Sequence, residues 1–194
     1  SPCSPTVSID ADCPVGNVKV TWSNIEKICG HSDDVLKYYL YYKPTVGEEY
    51  LKIATLSHTA NLNYLLDDIP LIAGCYAVQA EDSSKNVSKL STDFCIDNCP
   101  EFELPNIFTP NGDGVNDFFM AIKVRQIKQI NLNIIDRWGN HVFDTKDPYF
   151  KWNGHNKEGN KISDGTLFFV CDVYEPRLTG IVKRTIKGYL ELAR

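Results

Sequence analysis

Hydrophobic and polar positions alternate with a period of two along most of this chain. "NVKVTWS" (17–23), "KYYLYYK" (37–43), "YLKIATL" (50–56), "YAVQAED" (76–82) and "LSTDFCI" (90–96) show it in the first half. "DFFMAIKV" (117–124), "QINLNIID" (129–136), "NHVFD" (140–144), "GTLFFVCDVYE" (165–175) and "IVKRTIKGYLEL" (181–192) show it in the second. Strands put alternate side chains on opposite faces, so each segment reads as a half-buried strand. Turn residues separate them at short intervals, and no segment keeps a 3.6-residue apolar stripe. The expected fold is all-β, two consecutive antiparallel β-sandwich domains. The boundary falls in "DNCPEFELP" (97–105), which gives domains at 1–100 and 101–194.

The chain of 194 residues is 43% hydrophobic and carries a net charge of −5. An acidic balance argues against a nucleic-acid partner, which requires a basic face. No run approaches the ~18 apolar residues of a membrane span. The opening "SPCSPTVSID" lacks the basic start and apolar block of a signal peptide, as expected of a mature product or a fragment, here a monomeric one. Seven cysteines are present, six of them between Cys3 and Cys99. None forms the paired C-x-x-C pattern of a zinc site, so the cluster reads as a disulfide framework made in an oxidising compartment.

"VKVTWS" with Trp22, "KYYLYYKP", and "LLDDIPLIAGCYAVQAEDSSKNVS" with Ile69, Pro70 and Tyr76 resemble strands two, three and six of a fibronectin type III domain. The resemblance covers most of residues 4–98. It implies an Ig-like sandwich and a tyrosine corner, in which the Tyr76 hydroxyl reaches a backbone group upstream. It implies no activity. Under that topology each strand end lies at one of two poles. Cys3 and Cys29 then share one pole, while Cys13, Cys75, Cys95 and Cys99 share the other. The expected bridges are Cys3–Cys29, Cys13–Cys99 and Cys75–Cys95, with Cys171 left as a buried free thiol.

"ELPNIFTPNGDGVNDFF", "INLNIIDRWGNHVFDT", "WNGHNKEGNKISDGTLFFVCDVYE" and "IVKRTIKGYLELAR" resemble, in order, the motifs of the gliding-motility-associated C-terminal domain. That is the type B sorting domain of the type IX secretion system of Bacteroidetes. The resemblance runs from about residue 101 to the end. It implies export to the cell surface or medium and recognition by the outer-membrane translocon and a PorP/SprF-like outer-membrane protein. The candidate machinery-binding residues are Arg137, Trp138, Gly139 and Asn140 at a hairpin turn, with Lys183, Arg184, Lys187 and Arg194 on the last strand. There Val182, Ile186, Leu190 and Leu192 share one face with Arg184 and Gly188. Lys183, Thr185, Lys187, Tyr189 and Glu191 share the other. Such a strand is a handle for a receptor, by edge pairing or by charge. Members of this family often carry a cysteine before the D-G that follows the W-[DN]-G motif; "NKISDG" has none, which leaves Cys171 without that partner.

"PNGDGVND" raises a second question, since Asn111, Asp113 and Asp117 place hard oxygens in half of an EF-hand-like calcium pattern. Thr109 and Met120 stand where two further ligands belong, and Asn-Gly and Asp-Gly also form plain turns. Two other function classes compete with sorting. A carbohydrate- or matrix-binding adhesin pair would use the tyrosine row (Tyr38, Tyr39, Tyr41, Tyr42), Trp138 and Trp152 as aromatic faces. An enzyme would need a paired site, and only His155 with Asp164 offers one; no nucleophile or metal motif accompanies it, so no enzymatic activity is expected.

Overall fold

The computed structural model describes residues 1–25 and 34–194; Cys29 lies outside them. Two compact units result, Ser1–Asn98 with Arg177–Gly180, and Cys99–Pro176 with Ile181–Arg194. Both are all-β.

In the first unit β1 (Val7–Asp12), β2 (Asn17–Trp22) and β5 (Asn63–Leu66) form one sheet in the order β1-β2-β5. β3 (Val35–Lys43), β4 (Leu51–Ser57), β6 (Gly74–Asp82) and β7 (Phe94–Ile96) form the other, ordered β4-β3-β6-β7. The strand pairings β1–β2, β2–β5, β3–β4, β3–β6 and β6–β7 are antiparallel. Alternation decides what faces inward: Val18, Val20 and Trp22 from β2 meet Tyr38 and Leu40 from β3, all buried. The rings of Trp22 and Tyr38 lie 5.8 Å apart. Tyr39 and Tyr41 take the other face of β3, where the Tyr39 hydroxyl bonds Glu81. At the corner before β6 the expected bond is made by a different residue. Tyr42 donates its hydroxyl to the Ala73 carbonyl at 2.9 Å, and Tyr76 packs its ring against Tyr42 at 5.1 Å.

Cys75 and Cys95 sit opposite each other on β6 and β7 and are bridged, with an S–S distance of 2.06 Å. Cys3, Cys13 and Cys99 are also disulfide-bonded. The segment 90–96 is a strand only from Phe94 onward. Before that, side chains share the pairing with the backbone: Ser91 Oγ accepts from Val78 N–H at 2.9 Å and Ser88 Oγ from Ala80 N–H at 3.0 Å, while the Ser91 and Ser88 N–H groups donate to the Val78 and Ala80 carbonyls at 2.9 Å each.

The second unit is built on a five-stranded sheet. β11 (Gln129–Ile135), β12 (His141–Thr145), β13 (Gly165–Arg177), β14 (Gly180–Leu192) and the two-residue β9 (Ile107–Phe108) take the order β12-β11-β13-β14-β9. β9 runs parallel to β14, whereas β11 is antiparallel to both β12 and β13. β8 (Glu101–Glu103) and β10 (Lys123–Arg125) make a small second sheet. Between them lies an aromatic core of Phe102, Phe108, Phe119, Phe150, Trp152 and Phe169 with Ile130, Leu132, Ile134, Leu190 and Leu192. Residues 117–124 do not form one strand. Phe119 enters the core and makes a single bridge with Trp152, while Phe118 and Met120 stay exposed. Gly188 leaves room for the Phe169 ring, since a Cβ there would stand 2.7 Å from it. Val182 is exposed, so the inward face of β14 begins only at Ile186. Cys171 is buried and free, and burial pushes its thiol up to about 12.

Candidate functional site

The loop after β9 holds itself closed. Asp117 accepts Gly112 N–H at 2.7 Å and Gly114 N–H at 2.8 Å with its two oxygens. Asp113 accepts Val115 N–H at 2.8 Å, and the Asn111 side chain accepts Asp113 N–H and donates to the Asp113 carboxylate, both at 3.0 Å. The Val115 N–H, helped by Asn111, holds the Asp113 carboxyl below its ordinary range. Asn111, Asp113 and Asp117 are thus brought together, as N–H acceptors that define the turn.

The β11–β12 turn is organised by Asp136, a residue outside the eight candidates. Its carboxylate accepts Trp138 N–H at 2.9 Å, Asn140 N–H at 2.8 Å and the Asn140 side-chain amide at 2.8 Å. Those bonds, the Asn140 amide first, hold its carboxyl below the usual range. The same loop occurs three times. "DSSKN" (82–86), "DRWGN" (136–140) and "NKEGN" (156–160) share a [DN]-x-x-x-N pattern. In each, the first N–H bonds the last carbonyl, at 3.0, 2.9 and 2.9 Å respectively. The fourth residue takes a positive φ in each, +66° at Lys85, +87° at Gly139 and +84° at Gly159. This recurrence separates scaffold from payload. The third position carries exposed Ser84 and Glu158 in two loops and Trp138 in the other.

Trp138 is 71% exposed, and the Arg137 guanidinium lies 4.3 Å from its ring centre. Closing the loop does not require an indole there. Tryptophan and arginine are both among the residue types enriched at binding hot spots, and a cation over an indole face is attracted to it. The pair borders a cleft of about 270 Å³, whose far wall includes Ile162 and Asp164. Arg194 is bound there rather than projecting outward. Its guanidinium meets Asp164 and the Ile162 carbonyl at 2.7 Å each and the Gly154 carbonyl at 3.3 Å. Lys183 and Arg184 lie farther along β14, paired with Asp172 at 3.2 Å and with buried Glu175 at 2.8 Å. Lys187 is exposed and makes no ion pair among the described residues. The eight candidate residues therefore fall into two groups, the turn at Arg137–Asn140 and the stripe on β14, with Arg194 committed to internal bonds.

The other candidate chemistry separates. Asp164 is taken by Arg194, while His155 Nδ1 has no hydrogen-bond partner, so the two do not form a pair. Trp152 and Tyr38 are buried and cannot offer a sugar-binding face. Cys75, Asp93 and Cys95 cluster, but the two sulfurs are bonded to each other. No helix among the described residues is long and apolar enough to cross a membrane.

Residues 102–192 match the model of the CHU_C Type IX secretion signal domain. No curated protein matches the chain. Among solved structures, the FN1-FN3 domains of chicken CNTN1 are similar at 12% identity with a TM-score of 0.36. That alignment covers 97% of this chain and 66% of the other, so this chain spans less than two thirds of that fragment.

Proposed function

We propose that residues 101–194 are a type B sorting domain of the gliding-motility-associated kind, non-enzymatic, which directs export of a larger protein through the type IX secretion system of a member of the Bacteroidetes. The match over residues 102–192 supports the sorting role. The observation that carries the surface reading is Trp138, presented on a loop whose two counterparts present polar residues. The partners are the outer-membrane translocon and a PorP/SprF-like outer-membrane protein. Residues 1–100 serve as a fibronectin-like spacer, the parent protein is an adhesin, and the destination is the cell surface or medium.

The test is a fluorescent passenger fused to the chain in a secretion-competent host. Trp138→Ala reduces export while the melting midpoint barely moves, because surface truncations usually cost within about 0.5 kcal/mol. Gly139→Val reduces export through the fold, since a β-branched residue at φ +87° is strained. Wild-type export by the folded Trp138→Ala protein removes the turn from the recognition surface.

The proposal extends to calcium. An ion on Asn111, Asp113 and Asp117 competes with backbone N–H donors for the same oxygens, which places its affinity with weak extracellular modules, Kd about 10⁻⁴–10⁻³ M. Binding to the native state raises the melting midpoint by mass action, so melts with calcium and with chelator differ. Equal midpoints at millimolar calcium leave the loop as a turn alone.

A further inference from the structure

β14 is thirteen residues long, yet on its outer side only Glu191 and Leu192 are paired, with Ile107 and Phe108 of β9. Between Ile181 and Leu190 no strand covers that side among the described residues. The direction of the open backbone groups follows from the paired end. Glu191 N–H reaches outward to the Asn106 carbonyl at 2.8 Å, and Ala193 N–H to Phe108 at 3.3 Å. Backbone groups alternate along a strand, so Tyr189, Lys187, Thr185, Lys183 and Ile181 also point theirs outward. The side chains of these five residues occupy the face away from the core, where Thr185 and Lys183 meet Asp172 and Thr166 meets Glu191.

The order along this edge is apolar, basic, polar, basic, apolar: Ile181, Lys183, Thr185, Lys187, Tyr189. Ile181 and Tyr189 are about half exposed. An open edge is a template for another strand, and lysines on it discourage indiscriminate pairing. Here they also discriminate between occupants. A second copy docked antiparallel about Thr185 sets Lys183 opposite Lys187 twice, and like charges directly opposite are unfavourable. A strand with carboxylates at those two positions and apolar residues at the ends complements every side chain.

We propose that the Ile181–Tyr189 edge of β14 receives an extended acidic segment of the export machinery as an added strand. The inference rests on the sorting reading and names how that partner is held. Main-chain hydrogen bonds to five outward-facing residues supply the grip, and the Lys183–Lys187 spacing supplies the selectivity.

Proline separates the edge from the fold. At Lys187 the N–H points outward, so Lys187→Pro removes a donor offered to the incoming strand and none of the bonds to β13. The full chain, fused to a fluorescent passenger, is compared as Lys187→Pro, Lys187→Arg and the Lys183→Glu/Lys187→Glu pair, each with a thermal melt. Expected are a fold retained in all three, wild-type export for Lys187→Arg, and export about tenfold lower for the other two. Should Lys187→Pro melt far below the others, Ile181→Pro near the strand's start probes the same edge, with the same loss expected. Wild-type export by a folded edge-proline variant overturns the proposal. So does a concentration-dependent dimer that the proline abolishes, which makes a second copy the occupant. A passenger lacking residues 101–194 separates the two levels. If it stays inside the cell while the edge variants export normally, the edge assignment fails and the sorting reading stands. If it is exported as efficiently as the whole chain, the sorting reading fails first.

Discussion

Trp152→Ala should unfold most of the second unit at temperatures where the wild type is intact. Its indole is 3% exposed and stacks on Phe143 at 5.1 Å, with Phe108 at 5.4 Å and Phe119 at 6.4 Å. Its ring N–H donates to the His155 carbonyl at 2.7 Å, so truncation also orphans an acceptor. Removing a buried tryptophan costs about 3–5 kcal/mol, against a total stability of about 5–15 kcal/mol for a typical domain. The melting midpoint of that unit should fall by more than about 10 °C. Trp138→Ala is the internal control, since an indole that is 71% exposed contributes little to the core. Equal shifts for the two variants would mean that the core is misplaced.

The paired change Cys75→Ala with Cys95→Ala should destabilise the first unit by about 3 kcal/mol in the chain-entropy account of a bridge that closes a loop of this size. The bridge spans 20 residues and joins β6 to the short β7, which has no other strand neighbour among the described residues. Without it, three residues of pairing hold β7 in place. The transition of the first unit should move down while that of the second does not. Chemical denaturation followed by near-ultraviolet signals resolves the two. An unchanged first transition would show that the Ser88 and Ser91 bonds hold this segment without the bridge.

Strands with one buried and one solvated face announced themselves. β2, β11 and β13 alternate cleanly, and β3 does so after the irregularity between Val35 and Lys37, because each has a core on one side only. The same rule misled at 117–124, where Phe119 is in and its neighbours are out, yet no continuous partner strand lies alongside. Alternation reports which way side chains point and is silent on what pairs with the backbone. β1 and β5 carry little apolar contrast because they are edge strands, the first mostly exposed and the second mostly half-exposed. At the candidate site, Gly139 and Asn140 identified the turn, while Asp136 became visible only through its hydrogen bonds. The inward attachment of Arg194 depends on carbonyls 32 and 40 residues away, which no local pattern encodes. The exposure of Trp138, by contrast, agrees with its place in the turn between Arg137 and Gly139.

The match to a type IX secretion signal lies wholly in the second half of the chain, at residues 102–192, so that half should carry the address. The most direct measurement fuses one fluorescent passenger to residues 1–194 and another to residues 1–100, in a host with a working type IX system. Fluorescence in the medium and on the cell surface is compared with that inside the cell. The first passenger is expected to be exported and the second retained. Equal export of the two would contradict it.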